Sequence, residues 1–272
     1  MDGRRNQSYA LRHALAIVDA LAAAEPGRGA SLKELVQATS LNKSTILRLM
    51  NPLVEKRIVI KEGDTGTYRL GLRILEWAEA YLSGAELAHI AWPHLRALVD
   101  ATGETAFLVV YDDGDAVYLA KVESPNKIRL SSNIGTRTPA YTTANGKAIL
   151  AFLPEAEVNR VIARGLRALT PFTVTDPDVL NQQLDEVRAR RYAFDDRENV
   201  PDARCVGAPI FDFRGQVAGG ISLAGPAHRI DLDRVDALAQ LVMEAADAIS
   251  RELGWSGHLR EPVASSERSA TP

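Results

Sequence analysis

The first 72 residues carry short helical patterns separated by turn residues. Apolar side chains at helical spacing predict an amphipathic helix over residues 9–24, which the breaker cluster at residues 26–29 ends. Its expected apolar stripe comprises Leu11, Leu15, Val18, Leu21 and Ala22. A second helix over residues 31–38 begins at Ser31, a favourable N-cap with a glutamate in capping-box register. A tight turn at residues 39–41 leads into a third helix.

The third helix has a capped start and an unusual interior. Asn42 is a favourable N-cap, and Ile46, Leu49 and Met50 form the buried face. Pro52 lacks a backbone N–H and its ring clashes one turn back, so we expect the helix to kink or end near Met50. Helix, turn and second helix in this layout are typical of a reader of the DNA major groove.

A hairpin and a linker helix are expected next. Residues 58–60 and 68–70 alternate like strands, with glycine-containing turn residues between them. Residues 71–86 then read as a linker helix with an apolar stripe of Leu72, Leu75, Ala78 and Leu82. Trp77 and Tyr81 lie four apart on this helix, and we expect them to contribute to dimer packing, because operator readers usually need two copies.

The rest of the chain mixes hairpin strands with helices. Predicted helices cover residues 90–101, 142–153, 155–164, 179–191 and 232–253, and predicted strands cover 104–111, 116–122, 127–131, 205–211 and 216–223. This pattern favours an α+β fold with a mostly antiparallel sheet flanked by helices. The expected organisation is a DNA-binding module over 1–72, a linker over 73–90, a sensing module over 91–257 and a disordered tail over 258–272.

Composition narrows the function classes. No stretch approaches the roughly 20 apolar residues of a membrane span, and the N-terminal residues lack a signal-peptide pattern. The single cysteine, Cys205, excludes an intrachain disulfide and fits a reducing cytoplasm. Residues 1–72 hold 11 Lys+Arg and 7 Asp+Glu, a charge of +4; the remaining 21 and 28 give −7. A basic N-terminal part followed by an acidic remainder suits a protein in which one module contacts nucleic-acid phosphates. The charge of +4 is small, however.

Candidate DNA contacts lie at the start of the third helix and on the hairpin. Short hydroxyls and cations at a helix start suit contacts to phosphates and base edges, and hairpin cations can reach the backbone. The candidates are Ser31, Lys43, Ser44, Thr45, Arg48, Lys61 and Arg69. The same pattern also fits a three-helix module that docks protein, so a small-molecule sensor with a protein-docking module is the alternative function.

Along nearly its whole length the chain resembles the IclR-type bacterial transcription regulators. The matching runs are SLKEL…LNKSTILRLMNPL…YRLGLRIL, GTRTPAYTTANGKAILAFLP and FDDRENVPDARCVGAPIFDFRGQVAGGISLAGPAHRI. The resemblance implies a winged helix–turn–helix joined to a GAF-like effector domain, assembled as dimers or tetramers. Such regulators, repressors or activators, commonly govern uptake or breakdown of small organic acids, aromatic acids or sugars. The sequence departs from the family at Ser40, Asn42 and Pro52, where glycine, proline and other residues are usual.

An effector site is expected around residues 135–147. Thr142 and Thr143 lie at a helix start, whose free N–H groups favour a carboxylate. Tyr141 could supply a hydroxyl or a stacking face for an aromatic effector.

The resemblance adds further residues to this site. The resemblance implies that Asp195, Cys205 and Ser222 are polar residues of the pocket. It also implies that the walls of the pocket are formed by Ile134, Ala140, Tyr141, Ala203 and Ala224, with Gly135 in the adjoining loop. Some members have serine where this chain has Ala224, which predicts one polar contact fewer. As alternatives, Asp195 caps a turn and Cys205 is a small buried hydrophobe.

The expected function follows from these observations. No phosphate loop, nucleophile elbow or metal-ligand spacing is found, so we expect no cofactor, no metal and no enzymatic activity. We expect a cytoplasmic, homo-oligomeric regulator that binds operator DNA, responds to a small carboxylate effector and represses a catabolic or uptake operon. A redox switch at Cys205 is a third option.

Overall fold

The protein divides into two compact units, Met1–Gly84 and Ala85–Pro272. The computed structural model describes residues 9–25, 28–63, 66–83, 86–130 and 132–257. The expected disordered tail lies outside these ranges. The expected linker over 73–90 contributes the last helix of the first unit and the start of the first helix of the second unit.

The first unit contains four helices and a hairpin in its described part. The elements are α1 Tyr9–Ala22, α2 Leu32–Thr39, α3 Lys43–Glu55, β1 Val59–Lys61, β2 Tyr68–Leu70 and α4 Arg73–Ser83. Strands β1 and β2 pair antiparallel, and Ala30 adds a single bridge to Tyr68. Helix, turn, helix and hairpin confirm the predicted winged helix–turn–helix.

The apolar face of α1 differs from the predicted one. Ile17 and Leu21 are buried in the core of the unit, whereas Leu11 and Leu15 are exposed. Helix α1 is apolar on more than one side, so spacing alone could not tell which side faces the core. The linker positions Leu72, Leu75 and Trp77 are also exposed, and the side chains of Tyr81 and Leu82 lie outside the described residues.

The predicted helix caps around the turn are confirmed. Ser31 and Glu34 form a reciprocal capping box, in which the Ser31 hydroxyl accepts from the Glu34 N–H and the Glu34 carboxylate accepts from the Ser31 N–H. The Asn42 side chain accepts from the Thr45 N–H at 2.8 Å. Between them Ser40 adopts a left-handed conformation with φ of 57°, the geometry that usually favours glycine at this point.

Helix α3 was expected to kink or end near Met50, and the expected end is wrong. The helix continues through Pro52 to Glu55. Pro52 is exposed and lies in the last turn, so the carbonyl one turn back, on Arg48, can turn towards solvent instead of a helical N–H. The start of the helix is unaffected by the proline.

The second unit is built around one six-stranded antiparallel sheet. Its helices are α5 Glu86–Thr102, α6 Ala144–Leu150, α7 Glu155–Ala163, α8 Pro177–Arg190 and α9 Val235–Glu252. Its strands are β3 Thr105–Asp112, β4 Asp115–Val122, β5 Arg137–Pro139, β6 Ala193–Asp196, β7 Ala203–Phe211 and β8 Val217–Pro226, in the order β5-β4-β3-β8-β7-β6. The predicted α+β class with an antiparallel sheet is confirmed.

The two faces of the sheet are covered differently. Helices α5 and α9 pack on one face through a large apolar cluster that includes Leu108 and Leu223. The other face, which presents Phe107 and Val109, is covered by α6, with α7 and α8 packed outside it. Among the described helices, none combines the length and apolar character that a membrane span requires.

Three strands and one helix differ from the prediction. Residues 127–130 form no strand, and β5 pairs with β4 instead. Strand β6 was missed because its sequence AFDD carries two acidic residues and reads as polar loop. The helix predicted over 142–153 is a 3-10 turn at Ala140–Thr142 followed by α6, since Thr143 leaves the helical conformation to cap the N–H of Gly146.

Candidate functional site

A small cavity lies between the sheet and the start of α6. Its volume is about 60 Å³. The lining residues come from β3, β4, β6, β7, β8, α6 and two connecting segments: Phe107, Tyr118, Leu130, Ser132, Thr143, Ala144, Asn145, Asp195, Asn199, Val200, Ala203, Cys205, Ser222 and Ala224.

Two glycines bring α6 against the sheet. A Cβ on Gly207 of β7 would lie 2.6 Å from the Asn145 nitrogen, closer than real Cβ atoms approach other atoms. A Cβ on Gly220 of β8 would lie 2.8 Å from the Asn145 carbonyl oxygen. The start of α6 therefore rests directly on the backbone of β7, and this contact forms the floor of the cavity.

Asn145 supplies a polar group to this floor. The side chain is only 2% exposed, and its Nδ2 donates to the Ser222 hydroxyl at 2.9 Å. Its Oδ1 is buried and has no hydrogen-bond partner among the described residues. An unpaired buried acceptor is costly, so this atom marks a place where a bound molecule would gain a hydrogen bond.

Asp195 is the most strongly perturbed carboxyl of the cavity. Burial raises its pKa to about 7, against the opposing effect of the hydrogen bond that it accepts from the Glu198 N–H at 2.7 Å. The side chain therefore exchanges its proton near neutral pH. The turn-capping alternative is also met, because Asp195 accepts from a backbone N–H three residues later.

Cys205 lies next to Asp195 in the cavity. Burial, and secondly the neighbouring carboxyl of Asp195, raise the pKa of the thiol well above its ordinary value. A thiol held in its protonated form is a poor nucleophile and oxidises slowly. The environment of Cys205 therefore disfavours the redox option.

The remaining wall of the cavity is mostly apolar. Phe107 and Tyr118 contact each other edge to face, with ring centroids 5.1 Å apart. Leu130, Val200 and Ala224 complete this side. Burial raises the pKa of Tyr118 to about 12, so its phenol stays neutral. The cavity thus offers a polar floor and an apolar roof.

A buried ion pair supports the floor from behind. The Lys147 ammonium, on α6, bonds to the carboxylate of Glu198 and to the Gln183 oxygen at 2.8 Å. The sequence had predicted no role for Lys147. A lysine directly before the apolar run AILAF (148–152) was the indication that it needed a buried partner.

The structure brings together part of the predicted effector set. Thr143, Asp195, Ala203, Cys205, Ser222 and Ala224 line the cavity. Ile134, Gly135, Ala140, Tyr141 and Thr142 do not. Ile134 is 53% exposed, the Tyr141 hydroxyl donates to the Arg167 carbonyl at 2.8 Å, and the Thr142 hydroxyl donates to the Pro139 carbonyl at 2.8 Å. The 3-10 turn thus directs the side chains of Tyr141 and Thr142 away from the cavity.

Several lining residues were not predicted. They include Phe107, Tyr118, Leu130, Ser132, Asn145, Asn199 and Val200. Asn145 could have been found, since it is a polar residue at the same helix start as the predicted Thr143. The aromatic pair could not, because its approach to the site depends on strand pairing between β3 and β4.

The start of α3 presents its predicted contacts to solvent. Lys43, Ser44 and Arg48 are exposed, and Thr45 is half-buried. The Ser44 hydroxyl donates to the Asn42 side chain at 2.8 Å. Within the described residues neither Lys43 nor Arg48 forms an ion pair, so both cations are available to an anionic partner.

The other predicted DNA contacts are already engaged inside the unit. The Ser31 hydroxyl belongs to the capping box. On the hairpin, Arg69 donates to Glu62 at 2.7 Å, and the Lys61 ammonium stands 6.0 Å from the centre of the Tyr68 ring. Both hairpin cations remain exposed. Among the described residues, no group of His, Cys, Asp or Glu is arranged to hold a metal ion.

Comparison with known proteins agrees with this architecture. The IclR helix-turn-helix domain matches residues 10–63, and the bacterial transcriptional regulator IclR C-terminal domain matches residues 79–251. The regulator BhcR of Paracoccus denitrificans is 34% identical over 242 residues, 89% of this chain and 86% of that protein. The repressor AllR of Klebsiella pneumoniae is 32% identical over 248 residues, 91% of this chain and 90% of that protein.

A solved structure gives the same result. The crystal structure of Thermotoga maritima IclR superposes with a TM-score of 0.74 at 34% identity, covering 90% of this chain and 98% of that one. The relatives are regulators of transcription, so the first unit is a DNA-binding module and the protein-docking alternative is set aside. The chain belongs to the IclR family of bacterial transcriptional regulators and is a DNA-binding protein, not an enzyme.

Proposed function

We propose that the protein is a cytoplasmic repressor whose cavity in the second unit binds a short organic acid and thereby controls operator binding by α3. The regulated genes would serve uptake or breakdown of that acid. The observation that carries the proposal is the cavity itself, with its polar floor at Asn145, Asp195 and Ser222 beneath an apolar roof.

Operator binding is assigned to the start of α3. Lys43 and Arg48 are exposed cations without an ion-pair partner in the described part of the chain, and Ser44 lies between them. A recognition helix reads bases with the residues at its N-terminal end, and cations there release counterions from the DNA. The charge of +4 over residues 1–72 acts in the same direction.

The size of the cavity favours an aliphatic effector over an aromatic one. A cavity of roughly 150 Å³ accommodates benzene, and this one measures about 60 Å³. Tyr141, which could have stacked on an aromatic ring, does not line the cavity. An acid of two to four carbons therefore suits the site better than a benzoate.

A carboxylate has two reasons to bind at the floor. Ala144 and Asn145 are the first residues of α6, and N–H groups at a helix start lack partners within the helix. Asp195 is neutral for part of the time at pH 7, so it does not always repel an anion. In addition, the hydroxyl of Ser222 lines the cavity and can form a further hydrogen bond with the acid.

Control of DNA binding requires more than one copy of the chain. Operators are read by paired recognition helices, and an effector acts by favouring one arrangement of the pair. Exposed apolar side chains on α1 and at α4, among them Leu11, Leu15, Leu75 and Trp77, offer surface that a second copy can bury. A homodimer or homotetramer is therefore part of the proposal.

The decisive experiment is a gel shift on the DNA upstream of the gene itself and of the adjacent operon. The purified protein is titrated at several salt concentrations, alone and with panels of short aliphatic acids and of benzoates. We expect a specific shift that weakens steeply with salt and is released by one of the short acids. Release by benzoates alone would contradict the size argument, and the absence of a specific shift at low salt would contradict operator binding.

A further inference from the structure

We propose that Asn145 selects the effector by accepting a hydrogen bond on its side-chain oxygen. The effector would then be a short acid that also carries a hydrogen-bond donor, such as a hydroxy acid or an amido acid. This inference rests on the proposed function of the cavity, and it names the chemical class of the ligand and the residue that recognises it.

The argument begins with the unpaired oxygen. One arm of the Asn145 carboxamide is used, because Nδ2 donates to the Ser222 hydroxyl at 2.9 Å. The other arm, Oδ1, is buried without a partner in the described part of the chain, and the residue lines the cavity. Buried polar groups are almost always hydrogen-bonded, so this oxygen is placed to receive a donor from the cavity contents.

The neighbouring polar groups do not fill this role. The Asp195 carboxyl already accepts from the Glu198 N–H at 2.7 Å, and the Thr143 hydroxyl accepts from the Gly146 N–H at 3.1 Å. Ser222 is the acceptor of the Asn145 amide. Each of these groups therefore has a partner within the protein. Among the buried lining groups that the structure describes, Asn145 Oδ1 is the acceptor left without one.

The register of the sheet explains why the polar contact is at Asn145 and not at Ala224. In the pairing of β7 with β8, Ser222 lies opposite Gly207, and Ala224 lies opposite Cys205, two positions before Gly207 in β7. The sequence had predicted one polar contact fewer in the cavity because Ala224 lacks a hydroxyl. The Asn145 carboxamide, held beside Ser222 by the close packing over Gly207, supplies a polar contact from α6 instead.

Discrimination follows from the cost of leaving this oxygen unpaired. In the free protein a water molecule can occupy a polar cavity of this size and donate to Oδ1. An acid that displaces the water and carries no donor leaves the acceptor buried and unsatisfied. Such an acid should bind about 10- to 100-fold more weakly than its hydroxylated counterpart.

The test compares two pairs of acids that differ by one hydroxyl group: glycolate with acetate, and lactate with propionate. Affinities for the full-length protein are measured by titration calorimetry. We expect the hydroxy acid of at least one pair to bind 10-fold or more tighter than its partner. In Asn145→Leu, an apolar replacement of similar size, that ratio should fall to about twofold, while Asn181→Leu on the exposed face of α8 should keep it.

A second variant protects the test against misfolding. Asn145→Ala removes the same oxygen without adding bulk, and thermal unfolding of both variants shows whether the second unit is intact. Because the ratio compares two ligands on one protein, a general loss of affinity does not change it.

Three results would overturn the inference. If the wild type binds the two acids of each pair equally well, the protein does not recognise the hydroxyl donor of the acid. Acid binding and the proposed function would still stand. A preference that persists in both Asn145 variants would assign recognition to another residue. If none of the four acids binds the folded wild type, the proposed function of the cavity fails and this inference fails with it.

Discussion

The start of α3 and the cavity differ in whether their polar side chains already have partners within the protein. At the start of α3, Lys43 and Arg48 are exposed and have no ion-pair partner in the described residues. In the cavity, Asn145, Asp195 and Ser222 are buried and each takes part in a hydrogen bond within the protein, whereas Asn145 Oδ1 has no partner among the described residues. DNA brings its own charge and can satisfy exposed cations on arrival. A small ligand enters a site that must already be stable without it, so few groups can be left for the ligand to satisfy.

The largest effect is expected from breaking the exposed surface. Arg48→Ala should lower operator affinity by about 1–3 kcal/mol for each recognition helix, hence about 2–6 kcal/mol for two helices acting independently. Fluorescence anisotropy on operator DNA measures this. Thermal unfolding should be unchanged, because Arg48 is exposed and forms no hydrogen bond or ion pair within the described residues. Arg69→Ala is the matched control: Arg69 is already paired with Glu62, so its loss should cost less. An operator affinity that is unchanged in Arg48→Ala would remove Arg48 from recognition.

The next effect concerns the floor of the cavity. Gly207→Ala places a Cβ where the Asn145 nitrogen and the Ala144 carbonyl carbon already lie, at 2.6 and 2.7 Å. Forcing α6 away from β7 should destabilise the second unit by about 1–3 kcal/mol and weaken acid binding. Denaturant unfolding provides the measurement. Gly63→Ala, where the added carbon meets no atom within 4 Å, serves as the control. An unchanged unfolding midpoint for Gly207→Ala would show that α6 can move away from β7 without loss of stability.

A smaller effect is expected from pH. Asp195 has its pKa raised to about 7, so the fraction of neutral side chain falls about tenfold between pH 6 and pH 8. Because the ionised form repels an anion, the affinity for glycolate should fall up to about tenfold over this range. In Asp195→Asn the dependence should be nearly flat. A wild-type affinity that is constant, or that rises with pH, would place the bound carboxylate away from Asp195.

The smallest effect is expected at the turn of the DNA-binding unit. Ser40 holds a left-handed conformation that costs a non-glycine residue energy, so Ser40→Gly should raise stability by at most about 1 kcal/mol. Thermal unfolding of the first unit should show a slightly higher midpoint. The same substitution inside a helix, Ser44→Gly, should lower stability instead. Destabilisation by Ser40→Gly would show that the serine hydroxyl contributes more than its backbone strain costs.

The first unit could be predicted in more detail than the cavity because its features are local. The capping box of Ser31 and Glu34 and the cap at Asn42 involve residues three positions apart, so their spacing in the sequence fixes their contact. The exception within this unit is α1, where two apolar sides competed for the core. The continuation of α3 past Pro52 also depended on exposure, which spacing does not report.

The cavity depends on contacts between distant parts of the chain. Phe107, Tyr118 and Ser222 approach each other only through the pairing of β3 with β4 and β8. Asp195 lies on β6, which was not predicted as a strand because its two acidic residues resemble a polar loop. The resemblance to a known family placed several of these residues together. The residues themselves did not show that the 3-10 turn would carry Tyr141 and Thr142 away from the cavity.

The contact of α6 with Gly207 has a consequence for how the protein could change its ligand over evolution. A floor in which even a methyl group lacks room leaves little scope for mutation, so inherited changes in ligand range should accumulate in the opposite wall. That wall includes Leu130, Ser132 and Val200, which lie on connecting segments outside the regular strands and helices. Paralogues that respond to larger acids would then differ from this chain mainly in those segments, while the glycine opposite α6 is inherited unchanged.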